Sequence, residues 1–131
     1  MADHPQPPAA RRRRGHIAHR RGHEAEARAE AALRREGWSI LARRLRTAAG
    51  EIDLVADRDG LTALIEVKAR PTLAQAAQAL RAGQQSRLLA AGEVALAQNP
   101  DWGRCGVRFD VLLVDAAGTV RRIKDALRQA A

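Results

Sequence analysis

A tight hairpin at Asp59-Gly60 is the feature that most constrains the fold of this chain. The segments on either side, residues 51–57 and 61–68, both alternate between apolar and polar side chains, which is the period of a strand with one buried face. Asp and Gly tolerate the positive φ angles that a two-residue hairpin turn requires. The chain is therefore predicted to build a sheet around an antiparallel pair of strands.

Helix and strand patterns flank this hairpin on both sides. Before it, residues 22–36 consist of good helix formers that end at Gly37. A strand is predicted over residues 38–46, although its alternation is imperfect at Leu41 and Ala42. After the hairpin come a helical segment interrupted at Gly83, two strands and a short helix, over residues 72–98, 107–115, 119–124 and from Asp125 onward. This order predicts an α/β fold, a single domain with a mixed central sheet flanked by helices.

The core must be built from aliphatic side chains. Aromatic residues make up 2% of the 131 residues, so Leu, Ile, Val and Ala have to fill the interior. In the long helical segment, large apolar residues recur with a period of about 3.6 residues. The face that we expect to pack on the sheet carries Leu88, Leu89, Val94 and Leu96.

Apolar length and cysteine content exclude several classes of protein. The longest uncharged apolar stretches, such as residues 111–114, fall far short of the roughly 20 residues that span a bilayer. No apolar signal region follows the N-terminal arginines. A single cysteine, Cys105, can form neither an internal disulfide nor a zinc finger, and it fits a reducing compartment. We therefore expect a cytoplasmic protein that is neither membrane-embedded nor secreted.

Positive charge is concentrated in the first half of the chain. The net charge is +8, and residues 1–50 hold 12 arginines against 5 acidic residues. Residues 1–15 show no apolar periodicity, which predicts a disordered basic arm ahead of a folded domain over residues 16–131. This distribution suits nucleic acid, although an arginine-rich tail can also serve only to solubilise a protein. The residues predicted to contact phosphate groups are Arg11, Arg12, Arg13, Arg14, Arg20, Arg21 and, in the folded domain, Arg70.

Two carboxylates and a lysine come together on the predicted hairpin. Asp53 lies on the first strand, and Glu66 and Lys68 stand two residues apart on the second, so the latter two point to the same face. Such a set can hold a hard divalent cation, which neutralises charge on a phosphoryl oxygen and makes a hydroxide accessible. The spacing alone is equally compatible with an exposed hairpin that carries ordinary surface charges.

A resemblance over about residues 20–128 bears on this choice. The chain resembles the YraN family of small bacterial proteins, which is related to the PD-(D/E)XK endonuclease superfamily and similar in shape to archaeal Holliday-junction resolvases. The features that carry it are Gly22, Glu26, Ala29, Gly37, Ile40-Leu41 and the blocks Gly50-Glu51-Ile52-Asp53-Leu54, Glu66-Val67-Lys68-Ala69-Arg70 and Arg108-Phe109-Asp110-Val111. The resemblance implies a restriction-endonuclease-like core and a nuclease that hydrolyses DNA phosphodiesters, with branched or structured DNA as one candidate substrate.

The resemblance also implies roles for individual residues. A bound Mg²⁺ or Mn²⁺ would be held by Glu26, Asp53, Glu66 and the carbonyl of Val67. Lys68 would be the catalytic lysine, and Gln85 on the following helix would assist. DNA would be the partner, and the resemblance leaves open a homodimer like that of junction-cleaving relatives. The chain departs from the family pattern at Ala25, Gln84 and Leu127, and Gln84 stands where a lysine would contact phosphate.

Two other functions remain open at this point. The first is a catalytically silent nucleic-acid-binding module that uses the same fold to recognise a structured substrate. The second is a small adaptor whose basic surface binds an acidic protein. Outside the carboxylate set, Asp110 is predicted to pair with an arginine or to support the sheet rather than to bind metal. Trp38 is predicted to be a packing residue.

Overall fold

A five-stranded mixed sheet forms the centre of the fold. The structure is a computed structural model that describes residues 23–79 and 82–124. The elements, in chain order, are α1 (residues 23–35), β1 (Ser39–Thr47), β2 (Gly50–Arg58), β3 (Leu61–Ala69), α2 (Leu73–Gln78), α3 (Ala82–Gln98), β4 (Val107–Val114) and β5 (Val120–Ile123). The strands follow chain order across the sheet, and β3 and β4 pair in parallel while the other pairs are antiparallel. The predicted α/β class is confirmed.

The hairpin between β2 and β3 has the predicted turn. Asp59 and Gly60 have φ angles of 53° and 88°, the positive pair that the sequence Asp-Gly accommodates. The paired register runs from Arg58↔Leu61 at the turn to Leu54↔Ile65. The turn therefore fixes which residues of the two strands stand side by side at the far end of the hairpin.

Helix α1 ends where the sequence predicts. The N–H of Trp38 donates to the carbonyl of Leu33, and the N–H of Gly37 donates to that of Arg34, which is the bonding pattern of a Schellman motif. Trp38 is buried against the sheet, as predicted for a packing residue. Three guanidinium groups lie within 6 Å of its ring centroid and add cation–π attraction, those of Arg58, Arg108 and Arg122.

The two faces of the sheet are covered by different helices. On one face, Ala29 and Leu33 of α1 pack against Leu54 and Ile65. On the other face, buried residues of α3 pack against Ile52, Val55 and Leu64. Helix α2 buries Ala76 against Val111 and Leu113 of β4. Asp110 is 1% exposed and pairs with Arg108, whose Nη2 lies 2.8 Å from Oδ2. Pairing with an arginine is one of the two roles that the sequence predicts for it.

Helix α3 differs from the prediction in its start and in its buried face. The interruption precedes Gly83, because α2 ends at Gln78 and α3 already begins at Ala82. The predicted packing residue Leu89 is 44% exposed, whereas the small residues Ala91 and Ala95 are buried beside Leu88. The reason is a close approach: a Cβ on Gly92 would lie 2.7 Å from Leu64 Cδ1. Small side chains let the helix backbone approach the sheet.

Several predicted segments lie outside the described residues. They are the basic arm over residues 1–15, its neighbours Arg20 and Arg21, and the short helix from Asp125. Among the residues that the structure does describe, no helix combines the length and the apolar character needed to cross a bilayer.

Candidate active site

Asp53 and Glu66 occupy the end of the β2–β3 hairpin opposite its turn. The paired register stops at Leu54↔Ile65, so Asp53 and Glu66 are the next residues along their strands. Both side chains are partly buried. The backbone N–H of Val67 donates to Oδ2 of Asp53 over 2.7 Å, and this bond links the strands beyond the paired register. The two predicted carboxylates therefore stand next to each other.

Lys68 is held against Glu66. Its Nζ lies 3.0 Å from Oε2 of Glu66, and the residue is 8% exposed. The contact follows from the two-residue step along one strand, which places both side chains on the same face. Because the ion pair and the burial restrict its motion, the ammonium group stays beside the carboxylate pair.

A cavity of about 260 Å³ opens at Asp53 and Glu66. Its lining comes from both β2–β3 and α3, namely Gly50, Glu51, Asp53, Glu66, Arg87 and Leu88. Arg87 is exposed and lines the cavity together with three acidic residues. The sequence alone gave no reason to select Arg87, because its position at the cavity depends on how α3 docks on the sheet.

The electrostatic environment of Asp53 is unusual. The pKa of Asp53 is raised from 3.8 to about 7, chiefly by burial. The neighbouring carboxylates of Glu66, Glu26 and Glu51 contribute to this rise, and the Val67 hydrogen bond opposes it. A carboxyl group in this environment is costly to ionise unless a cation is close to it. The site therefore favours the binding of positive charge.

Glu26 approaches this site from α1 but forms an ion pair of its own. Its Oε1 accepts a hydrogen bond from Nε of Arg44 over 2.8 Å. Glu26 is close enough to Asp53 to raise its pKa, although it does not line the 260 Å³ cavity. The structure thus brings together Asp53, Glu66 and Lys68, and it places Glu26 beside them with an arginine as partner. Sequence reasoning missed Arg44 entirely.

The donor set can be compared with what a divalent cation requires. Across residues 23–79 and 82–124, no group of three or more His, Cys, Asp or Glu side chains is arranged to hold a metal ion. Mg²⁺ can nevertheless bind through one or two carboxylates while it keeps several waters. Asp53 and Glu66 supply two carboxylates. The N–H and C=O of one strand residue point to the same side, so the carbonyl of Val67 faces β2 together with its N–H.

Of the remaining predicted residues, only Arg70 has a described side chain, and it lies away from the carboxylate pair. Gln85 belongs to α3, but its side chain is outside the described part of the structure. Arg70 is exposed, donates from Nη1 to the carbonyl of Ala69, and lines a larger cavity of about 530 Å³ with Glu24, Arg28 and Asp115. This larger cavity does not include the carboxylate pair. The predicted phosphate contacts Arg11, Arg12, Arg13, Arg14, Arg20 and Arg21 fall outside the described residues.

Comparisons with known proteins identify the family. A protein from Azorhizobium caulinodans is 46% identical over 126 residues, which cover 96% of both chains. One from Granulibacter bethesdensis is 59% identical over 88% of this chain and 73% of its own, and one from Acidiphilium cryptum is 48% identical over 92% and 90%. All three carry the description UPF0102 protein, and the sequence model of the uncharacterised protein family UPF0102 matches residues 25–114. The chain therefore belongs to the family UPF0102, which is the YraN family that its sequence resembles.

Proposed function

We propose that this protein is a nuclease that hydrolyses DNA phosphodiesters with the help of a divalent metal ion. The observation that carries the proposal is the arrangement at the open end of the β2–β3 hairpin. There, Asp53 and Glu66 stand side by side, and Lys68 lies 3.0 Å from Glu66. Two carboxylates at one cavity, with an ammonium group in contact with one of them, are groups that metal-dependent phosphodiester hydrolysis can use.

Each of these residues has a distinct task. Asp53 and Glu66, with the carbonyl of Val67, would hold Mg²⁺ or Mn²⁺, which when bound supplies a hydroxide at neutral pH and neutralises phosphoryl charge. Glu66 positions Lys68, and the Lys68 ammonium group stabilises negative charge as it develops on the phosphate. Gln85 would assist from α3.

Substrate binding is assigned to the arginines. Arg87 lines the cavity from α3 and would contact a phosphate group next to the one that is cut. The basic arm adds electrostatic attraction that does not depend on sequence. Arg70 lines the 530 Å³ cavity and would supply a further phosphate contact. DNA is the substrate class that fits the positive charge of these arginines, and branched or structured DNA is the first form to test. We place the reaction in the cytoplasm.

A second candidate function is a nucleic-acid-binding module without catalysis. Two observations favour it. Glu26, the third expected metal ligand, is paired with Arg44, and no three-ligand metal group exists among the described residues. In that case the carboxylates would serve the architecture of the hairpin, and the arginines would do all the functional work.

A cleavage assay with matched variants separates the two. Labelled duplex, single-stranded, forked and four-way-junction DNA are incubated with the full-length protein in Mg²⁺, Mn²⁺ or chelator. The nuclease proposal predicts metal-dependent cleavage of at least one substrate. Asp53→Asn should abolish this cleavage, and calorimetry should detect no Mn²⁺ binding to the variant. Asp101→Asn, in an exposed loop before β4, is the control and should behave as wild type. Tight binding without cleavage under all conditions would support the silent module instead.

A further inference from the structure

Two consecutive arginines of β1 both reach helix α1. Nε of Arg43 lies 2.6 Å from Oε1 of Glu30, and Nε of Arg44 lies 2.8 Å from Oε1 of Glu26. Consecutive residues of a regular strand point to opposite faces. Here Arg44 has a φ angle of 48°, a conformation that residues other than glycine rarely adopt. This local backbone conformation allows Arg44 to reach the same helix as Arg43.

The two ion pairs differ in their surroundings. Glu26 is one of the carboxylates that act on Asp53, together with Glu66 and Glu51. Arg44 lies between the two β1 residues that pair with Leu54 and Ile52, so it stands opposite Asp53 of β2. Its Nε donates to Glu26 over 2.8 Å. Glu26 raises the pKa of Arg44, and Glu51 and Asp53 add to this rise. The Arg43–Glu30 pair lies one helical turn further along α1. Arg44 is therefore a positive charge placed within the acidic surroundings of Asp53.

We propose that Arg44 is a resident cation of this site, which competes with a divalent metal ion for the carboxylates and thereby sets the metal affinity. The inference rests on the proposed function, because it assumes that Asp53 helps to hold a metal. Without metal, the Arg44 guanidinium offsets the repulsion among Glu26, Glu51 and Asp53. When a divalent cation binds, the repulsion between the two positive charges weakens the contact of Arg44 with Glu26, and Glu26 becomes available to the metal site.

Metal titration of the full-length protein without DNA tests this directly. Mn²⁺ binding is measured by calorimetry for wild type, Arg44→Met, Arg44→Lys and the matched control Arg43→Met. Arg44→Met keeps an aliphatic side chain but removes the charge, and it should tighten Mn²⁺ binding by about tenfold. This change in affinity corresponds to only a small part of the Coulomb repulsion between two cations at close range. Arg44→Lys should stay within about threefold of wild type because the charge persists. Arg43→Met should leave the affinity unchanged.

A second measurement uses the wild type, so it does not depend on the folding of a variant. In a Mg²⁺ titration followed by NMR, the Nε–Hε signal of Arg44 should move as its contact with Glu26 weakens, while that of Arg43 should stay in place. Both signals unchanged during saturable Mg²⁺ binding would overturn the inference.

The possible results separate the two proposals. If Mn²⁺ binds in an Asp53-dependent manner and Arg44→Met binds it no more tightly than wild type, Arg44 does not compete, and the inference fails while the proposed function stands. If neither wild type nor Arg44→Met binds Mn²⁺ in an Asp53-dependent manner, the metal-dependent function fails and the inference fails with it.

Discussion

Oδ2 of Asp53 accepts a hydrogen bond from the backbone N–H of Val67, with an N–O distance of 2.7 Å. A side chain of β2 thus satisfies a backbone donor of β3 just beyond the paired register. The bond fixes the orientation of the carboxylate through the fold. Val67 is also the residue between Glu66 and Lys68, so the same bond ties all three candidate catalytic side chains to one point of the sheet. This arrangement is preorganised, which is the property that makes charged groups effective in catalysis.

The raised pKa of Asp53 predicts a cost in stability that depends on pH. The pKa of an ordinary aspartate side chain is 3.8, whereas the pKa of Asp53 in the folded protein is about 7. Between these pH values, the folded state therefore binds more protons than the unfolded state. The free energy of unfolding should therefore fall as the pH rises from 4 to 7. In chelator at pH 8, Asp53→Asn should be more stable than wild type by on the order of 2 kcal/mol, and the difference should shrink at pH 5.

Denaturant unfolding at both pH values measures this difference. Asn keeps an acceptor for the Val67 N–H, so the variant isolates the charge. Mn²⁺ at pH 8 should then stabilise wild type and leave Asp53→Asn unchanged, because only wild type has the ionisable ligand. Equal stability of the two proteins at pH 8 in chelator would contradict the assigned pKa.

Arg87 should contribute to DNA binding. Because Arg87 lines the cavity next to the acidic residues, Arg87→Ala is expected to remove one phosphate contact. The slope of log affinity against log salt should then become shallower by about 0.9. Mn²⁺ binding should be no weaker, since a positive charge has been removed. Arg104→Ala, an exposed arginine in the loop before β4, serves as the control for a general loss of charge.

Deletion of residues 1–15 tests the arm. The arm carries Arg11, Arg12, Arg13 and Arg14. If they contact phosphate groups, the deletion should lower DNA affinity mainly at low salt and flatten the salt dependence by about 0.9 per lost contact. The thermal unfolding temperature should change little, because the arm has no apolar periodicity to bury. An unchanged slope would show that the arm does not take part in binding.

The close approach of α3 to the sheet predicts a packing defect. A Cβ at Gly92 would lie 2.7 Å from both Leu64 Cδ1 and Phe109 Cε1. Gly92→Ala should therefore destabilise the protein by about 1–3 kcal/mol, although alanine favours a helix. Ala97→Ser, at an exposed position of the same helix, should stay within about 0.5 kcal/mol of wild type. Increased stability of Gly92→Ala in denaturant unfolding would contradict the packing described for α3.

The sequence predicted the parts of the fold that local chemistry determines. The Asp59-Gly60 turn and the helix end at Gly37 follow from backbone preferences, so both appear where the sequence indicates. The buried face of α3 does not follow from such preferences, because the prediction selected the large apolar residues. Leu89 is exposed while Ala91 is buried, since the space between helix and sheet admits only small side chains at that point.

The candidate site was predicted in the same uneven way. Glu66 and Lys68 share a face because of strand geometry, and their contact could be predicted from a two-residue step. The positions of the neighbouring residues Arg44 and Arg87 could not be predicted in this way. Arg44 reaches Glu26 through a positive φ angle, and Arg87 reaches the cavity through the docking of α3. Both depend on tertiary structure, which a linear pattern does not contain.

Single-turnover cleavage by wild type, Lys68→Ala and Lys68→Arg tests the central claim most directly. Branched and linear DNA are used as substrates in Mg²⁺ and in Mn²⁺, and DNA and metal binding are measured in parallel. Lys68→Ala should bind DNA and metal nearly as wild type does but cut on the order of 100-fold more slowly, the usual effect of losing one preorganised charged group. Lys68→Arg should restore cleavage only in part, because a planar fork replaces a compact ammonium group. Cleavage by Lys68→Ala at the wild-type rate, or tight binding by wild type without any metal-dependent cleavage of either substrate, would contradict the account.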